Sequence, residues 1–413
     1  MSNDVIVLGA GMVGVSTALH LQERGRSVAL VDRRGVAEET SYGNAGIIQR
    51  EGIVPYLFPR EWATILRHAR NQSTEAAFQW SSLPSIAPWM FRYWRWSTDE
   101  GMHATARAMA PIVTRCVDEH EHLMNEAGVI GMLRRTGYLR LYRTEEGLEK
   151  AIREDSQVKA KYGVVAKAVG RSELAELEPH LKSVYVGGVM LPDPCSVADP
   201  SALGKAYGDL FVRRGGALVE GEARSLTRDG AGWKVATRDG WISAPDVVVA
   251  LGPWSDMVTK AQGIKLPFGV KRGYHMHYRP EGNATLNRPV IDTTVGYAMA
   301  PMSKGIRITT GAEFATRDAP PNPVQLERVE PLARAAFPLA ERVEAEPWLG
   351  RRPCLPDMLP IIGQAAGKKG LWMNFGHHHL GFTLGPVTGR LLAEMMTGEK
   401  PFTDPHPYRA ERF

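Results

Sequence analysis

Two periods alternate along the first thirty residues. Residues 4–8 form a continuous apolar run, the length of a strand buried on both faces; after spaced glycines the apolar positions fall at helical spacing as far as Leu21. A turn at Gly25 leads into a second apolar run that ends in Asp32. Strand, glycine turn, helix and strand make one βαβ unit, which predicts a parallel sheet. Helical spacing then dominates from Pro55 to Asn125. Strand-like runs at 138–142 and 187–191 flank a helical stretch that holds the charged segment 172–181. A helix is predicted over 202–214. Strand-like runs follow at 217–220, 233–237 and 246–251, with turns at Asp229–Gly230 and Asp239–Gly240 that suggest a three-stranded meander. Strand patterns at 269–278, 296–301 and 306–310, then an amphipathic helix over 323–337, read as a second, mixed sheet. The carboxy-terminal part reads strand, glycine turn and a helix starting near Pro386.

At 413 residues the chain is about twice a usual domain, and no low-complexity linker divides it, so two interleaved domains are expected. With 44% hydrophobic and 23% charged residues, disorder is excluded as the dominant state. The 50 basic and 45 acidic residues are scattered, so a nucleic-acid partner is not expected, and an anionic small substrate fits the slight basic excess. Cys116, Cys195 and Cys354 lie far apart without metal-ligand spacing, so neither a disulfide framework, a zinc site nor an oxidising compartment is expected. The apolar stretch 5–21 lacks a basic leader and carries glycines, as folded protein does, and no run approaches the length of a membrane span. A cytoplasmic protein is the expectation. Trp and Arg crowd residues 88–97 (PWMFRYWRWS); these read as helices covering a domain, with peripheral contact on the inner membrane face as the secondary expectation.

Gly9, Gly11 and Gly14 form GxGxxG between the first strand and its helix. The first glycine permits the tight turn, the second lets backbone approach a pyrophosphate, and the third lets helix pack on strand. Asp32 follows where an acid accepts hydrogen bonds from a ribose diol. The helix N-terminus faces the phosphates. Such a unit points to a dinucleotide but leaves FAD and NAD both open.

The segment 38–50 (EETSYGNAGIIQR) follows the ribose-binding strand, and the chain closes on WLGRRPCLPDMLPIIG (348–363) and GLWMNFGHHHLGFTLGPVTGRLLAEMMTG (370–398). With the fingerprint, these segments resemble the D-amino acid dehydrogenase and glycine oxidase branch of the FAD-dependent amine oxidoreductases. The resemblance implies an α/β fold in which a Rossmann-like FAD domain (1–54, 146–186, 193–262 and 346–413) interleaves with a mixed-sheet α+β substrate domain (55–145, 187–192 and 263–345). It implies non-covalent FAD, since Cys354 does not align with the linking thiol of sarcosine-oxidase-like relatives. The implied cofactor neighbours are Gly9, Ala10, Gly11, Met12, Val13, Gly14, Asp32, Arg33, the loop residues Thr40, Ser41, Asn44, Ala45 and Gly46, then Ala223, Gly252 and Trp254, and finally Gly376, His377, Leu380, Gly381 and Thr383.

The family's Leu-Arg-Pro arginine, which grips the substrate carboxylate, corresponds to Arg352, with Arg351 in place of the leucine and expected to face solvent. Tyr297 matches a tyrosine that supports the same carboxylate in glycine oxidase relatives. Tyr274 and His275 lie on a pocket-lining strand; alternation lets only one of them face the flavin, and Tyr274 is favoured. The triple histidine 377–379 is not expected to hold a metal, because three consecutive residues do not converge on one ion. The activity implied is oxidation of a small amino acid, foremost a D-amino acid, to an imino acid and then a 2-oxo acid, with oxygen or a quinone taking the electrons. D-proline or hydroxyproline, glycine and sarcosine remain open as substrates. An NAD dehydrogenase and a catalytically silent flavin subunit are the other classes.

Overall fold

The structure is a computed structural model and describes residues 3–413, the side chain of Lys159 excepted. Strand β1 (Val5–Leu8) is buried at every position because it sits mid-sheet with elements on both faces. It pairs in parallel with β2 (Val28–Asp32) on one side and Asp246–Val249 on the other. Ala217–Asp229 and Leu371–Phe375 extend the parallel core, and antiparallel strands close the two ends of this eight-stranded sheet. The meander consists of Ala217–Asp229, Gly232–Thr237 and Gly240–Ala244. Asp246–Val249, predicted as its third strand, instead crosses to the centre of the sheet. Its Val247, Val248 and Val249 are fully buried, which an edge position could not provide.

Helix α1 (Met12–Glu23) starts at Gly11 and packs against the carboxy-terminal helix Gly381–Thr397, with Gly389 set against the Ser16–Thr17 backbone. That last helix begins at Gly381, five residues before the predicted start, and carries Pro386 inside it. Proline there cannot donate to the Phe382 carbonyl four residues earlier. The freed carbonyl accepts instead from His120 Nε2 at 2.9 Å.

The second sheet is mixed and has eleven strands, with the long strand Gly269–Pro280 at its hub. One of its faces packs on helix Val324–Ala336 around Met276, Tyr278, Met299 and Ile308. The other faces the first domain. The pair Ile47–Ile48 with Cys195–Ser196 joins the two halves.

The interleaving holds, but packing redistributes three segments of the expected domain division. Helices α4 (Asp99–Val113) and α5 (Cys116–Ala127) share the core of α1 and the last helix rather than that of the second sheet. Helix α6 (Glu145–Tyr162) and strand Lys167–Gly170 join the second sheet rather than the first. Trp348–Cys354 also pairs with the second sheet, along Gly269–Pro280. All three moves follow apolar faces that the sequence marks without naming their partners. The three cysteines are free and buried.

Candidate functional site

Between the two sheets lies a cavity of about 910 Å³. Its outer arm is walled by the glycine turn, the end of β2 and the Gly252–Trp254 turn. Asp32 anchors this arm: its carboxylate accepts from Ala10 N at 2.8 Å and from Arg34 N at 2.8 Å. Arg33 pairs with Glu39 at 2.7 Å and lies over Trp254 at 4.5 Å. Of the residues implied by the sequence, Gly9, Gly11, Met12, Val13, Asp32, Arg33, Thr40, Ser41, Asn44, Ala45, Ala223, Gly252, Trp254, His377 and Gly381 line the cavity. Ala10, Gly14, Gly46, Gly376, Leu380 and Thr383 stand behind that wall. Gly14 belongs there because a Cβ would stand 1.7 Å from Gly9 O, so it serves the approach of helix to strand. Thr383 accepts from Gln49 N and donates to Ile47 O, tying the last helix to the short strand pair.

The loop 40–46 runs across the middle of the cavity. Met12 N at the start of α1 donates to Ser41 Oγ at 3.0 Å, and Thr40 donates to the Arg351 carbonyl at 3.1 Å. The last helix presents Gly381 and Phe382 to the same space, so two helix N-termini aim positive dipole ends at one cavity. A Cβ on Gly11 would meet only Ser41 Oγ, at 3.3 Å, so the room beside this glycine is open cavity. A cavity of this size, with a glycine cradle, an acid at the end of β2 and a second helix terminus, fits a flavin dinucleotide.

The inner end is built on the second sheet. Gly269–Pro280 and Trp348–Cys354 pair so that Lys271 opposes Arg352, Gly273 opposes Gly350 and His275 opposes Trp348. These residues share the cavity face, whereas Arg272 and Tyr274 share the opposite one. His275 stacks on Trp348 with ring centroids 4.8 Å apart and contacts the Gly43 carbonyl at 3.3 Å. Burial and the nearby Arg307 push its pKa down to about 2. The alternation argument therefore stands, but its phase reverses: His275 faces the cavity, and the Tyr274 hydroxyl does not. That hydroxyl donates to Glu313 and accepts from Arg272 and Asn322 N, which uses up its capacity. Tyr297 also lines the cavity. Its hydroxyl turns to that of Tyr185, 3.3 Å away, beside the Arg143–Asp292 pair.

Arg352 is held in the inner end with Nη1 donating to Gly311 O at 2.9 Å and Nη2 to Thr310 O at 3.3 Å. Gly273 makes room for it, since a Cβ there would fall 2.6 Å from Nη2. Burial lowers its pKa. No carboxylate pairs with it among the described residues. Arg351 is half-buried rather than solvent-facing and donates to the Arg317 carbonyl. His377 contacts Thr388 Oγ1 at 3.0 Å, and burial holds both His377 and His379 down to about 3. His379 lies near Tyr56, ring centroids 5.1 Å apart. Sequence reasoning missed Lys271, Trp348 and His379 as cavity residues and weighed His275 only as the alternative to Tyr274. Counting back by twos from Gly273 would have found Lys271 once the phase of that strand was known.

A family model described as FAD dependent oxidoreductase matches residues 4–395. A D-amino acid dehydrogenase of Chromohalobacter salexigens is 31% identical, covering 97% of both chains. A D-amino-acid oxidase of Bradyrhizobium diazoefficiens is 29% identical, covering 99% of this chain and 98% of its own. In fold the chain is similar to glycine oxidase from Geobacillus kaustophilus, with a TM-score of 0.75 at 22% identity, covering 100% of this chain and 99% of that one.

Proposed function

The chain belongs to the FAD dependent oxidoreductase family and takes FAD as its cofactor, and from that premise we propose that it oxidises the α-carbon to nitrogen bond of a small D-amino acid. The observation that carries this reading is Arg352, a half-buried guanidinium fixed by two carbonyls and, among the described residues, lacking a carboxylate partner, at the inner end of the dinucleotide-sized cavity. Two of its five N–H donors go to Thr310 and Gly311, which sets its plane and leaves donors for a bidentate grip on an α-carboxylate. The D-amino acid preference rests on the names of the two relatives above.

In this reading the glycine turn, Asp32, loop 40–46 and the Gly252–Trp254 turn would hold FAD without a covalent bond, with the N-terminus of the last helix lining the same cavity. Bound FAD would supply the acceptor for a hydride from the substrate α-carbon, and hydrolysis of the resulting imino acid would release a 2-oxo acid and ammonia. The chain itself orients and desolvates. Arg352 sets the direction of the α-hydrogen by holding the carboxylate, while Trp348 and His275 wall the cavity beside it. Because burial keeps His275 and His379 neutral, neither adds charge that would repel the amine. The substrate amine loses its proton to water before oxidation, so no base within the chain is required.

A surface feature bears on the electron acceptor. Trp62, Leu66 and Phe91 are 76%, 61% and 58% exposed on α2 (Trp62–Ala69) and α3 (Leu83–Trp96), where Arg60 lies over Trp94 and links the two segments. No described helix is long and apolar enough to cross a membrane. The exposed aromatics among arginines support peripheral contact with an anionic membrane, and with it a quinone as acceptor.

The test is product analysis. Turnover of the preferred D-amino acid is expected to yield equal amounts of 2-oxo acid and ammonia, with a slower rate for the α-deuterated substrate under single turnover. Absence of both products across a panel of amino acids contradicts the proposal.

A further inference from the structure

The inner end of the cavity holds more positive charge than one carboxylate requires. Lys271 and Arg352 are directly opposed across two antiparallel strands and share one face. Opposed side chains start about 5 Å apart, and like charges in that relation repel. Lys271 is 8% exposed and lines the cavity. Its ammonium lies 4.0 Å from the Tyr93 ring centroid, with Phe314 at 5.8 Å and Trp89 at 5.9 Å. These rings attract the charge, yet among the described residues Lys271 has neither a carboxylate nor a hydrogen-bond acceptor.

The next residue provides the comparison. Arg272, fully buried on the opposite face of the same strand, meets Glu313 at 2.8 Å. The fold thus supplies a counter-charge behind the sheet and omits it on the cavity side. Neighbouring groups do not make good the difference: burial raises the Cys354 thiol and lowers His378 and His379, so all three stay neutral. Two adjacent cations drawn out of bulk water, Lys271 buried and Arg352 half-buried, are costly without an anion unless the ligand brings two negative charges.

We propose that Lys271 and Arg352 form a two-carboxylate subsite, so that the substrate class is an acidic amino acid whose α-carboxylate meets Arg352 and whose second carboxylate, a short carbon chain away, meets Lys271. This deepens the proposed function and rests on its assignment of Arg352.

The experiment uses the FAD-loaded protein and ligands that cannot be oxidised. Malonate, succinate and glutarate are compared with acetate, propionate and butyrate, binding being read by calorimetry and by perturbation of the flavin spectrum. At least one dicarboxylate is expected to bind tenfold or more tighter than every monocarboxylate, and Lys271→Met or Lys271→Gln to bring its affinity down to the monocarboxylate level. Equal binding of the two classes overturns the subsite alone, as does a dicarboxylate affinity that survives both folded variants. Binding of neither class overturns the subsite together with the role given to Arg352. The wild-type comparison requires no variant to fold.

Discussion

Arg352→Ala removes the group proposed to grip the substrate α-carboxylate, and the carbonyls of Thr310 and Gly311 lose one donor each. Steady-state kinetics are expected to show a loss of about 2–4 kcal/mol in kcat/KM, carried mainly by KM, with flavin content retained. Unchanged kinetics would take Arg352 out of the site. Gly11→Val tests the other end. Its first side-chain atom meets nothing of the chain closer than Ser41 Oγ, so the variant is expected to fold while filling the pyrophosphate space. Purification without yellow colour is the expected result, and full flavin occupancy contradicts it. At this scale the glycines and Asp32 were legible because backbone geometry dictates their spacing. The direction of the Tyr274 hydroxyl was not, because a strand pattern reveals alternation but not its phase. The phase comes from the pairing of Lys271 with Arg352, a contact 81 positions apart in sequence that no local signal encodes.

Elements were legible wherever period and punctuation agreed. Strands at 138–142 and 187–191 have the predicted bounds. The last helix was placed too late because Pro386 looks like a start signal, and the acceptor it frees is satisfied from α5, far away in sequence. His120 is that partner, with Nε2 on Phe382 O and Nδ1 on the Tyr207 hydroxyl at 3.1 Å. While the Tyr207 hydroxyl keeps the backbone carbonyl of residue 120 as its acceptor, His120→Phe would leave the buried Phe382 carbonyl unsatisfied. It is expected to destabilise the fold by about 1–3 kcal/mol, read as a lower denaturant midpoint with an unchanged m-value. An unaltered midpoint would mean that the Phe382 carbonyl finds another donor.

For the whole molecule, interleaving was legible from the lack of a linker, while the allotment of α4, α5 and α6 was not, since amphipathic faces do not name their partners. One property emerges only at this scale. Burial holds His120 to about 4, His275 to about 2, and His377 and His379 to about 3. In the unfolded chain each titrates near 6.5. The unfolded state therefore binds more protons below that value, and stability falls as pH drops from about 6.5 toward the folded values, by up to about 1.4 kcal/mol per pH unit for each histidine. Glu23, held at about 2, adds to the loss at lower pH. Denaturant midpoints at pH 7.5, 6 and 5 are expected to decline steeply below 6.5, and a flat profile contradicts this burial.

The central claim is that a flavin in this cavity takes electrons from an amino acid held by Arg352. Anaerobic titration of the purified yellow protein with D-amino acids, their L-counterparts, glycine, sarcosine and hydroxyprolines tests it most directly. The account predicts that a D-amino acid bleaches the visible flavin band in the wild type, and that Arg352→Ala needs far more of it for the same bleaching. A flavin-loaded protein that no amino acid bleaches would contradict the account.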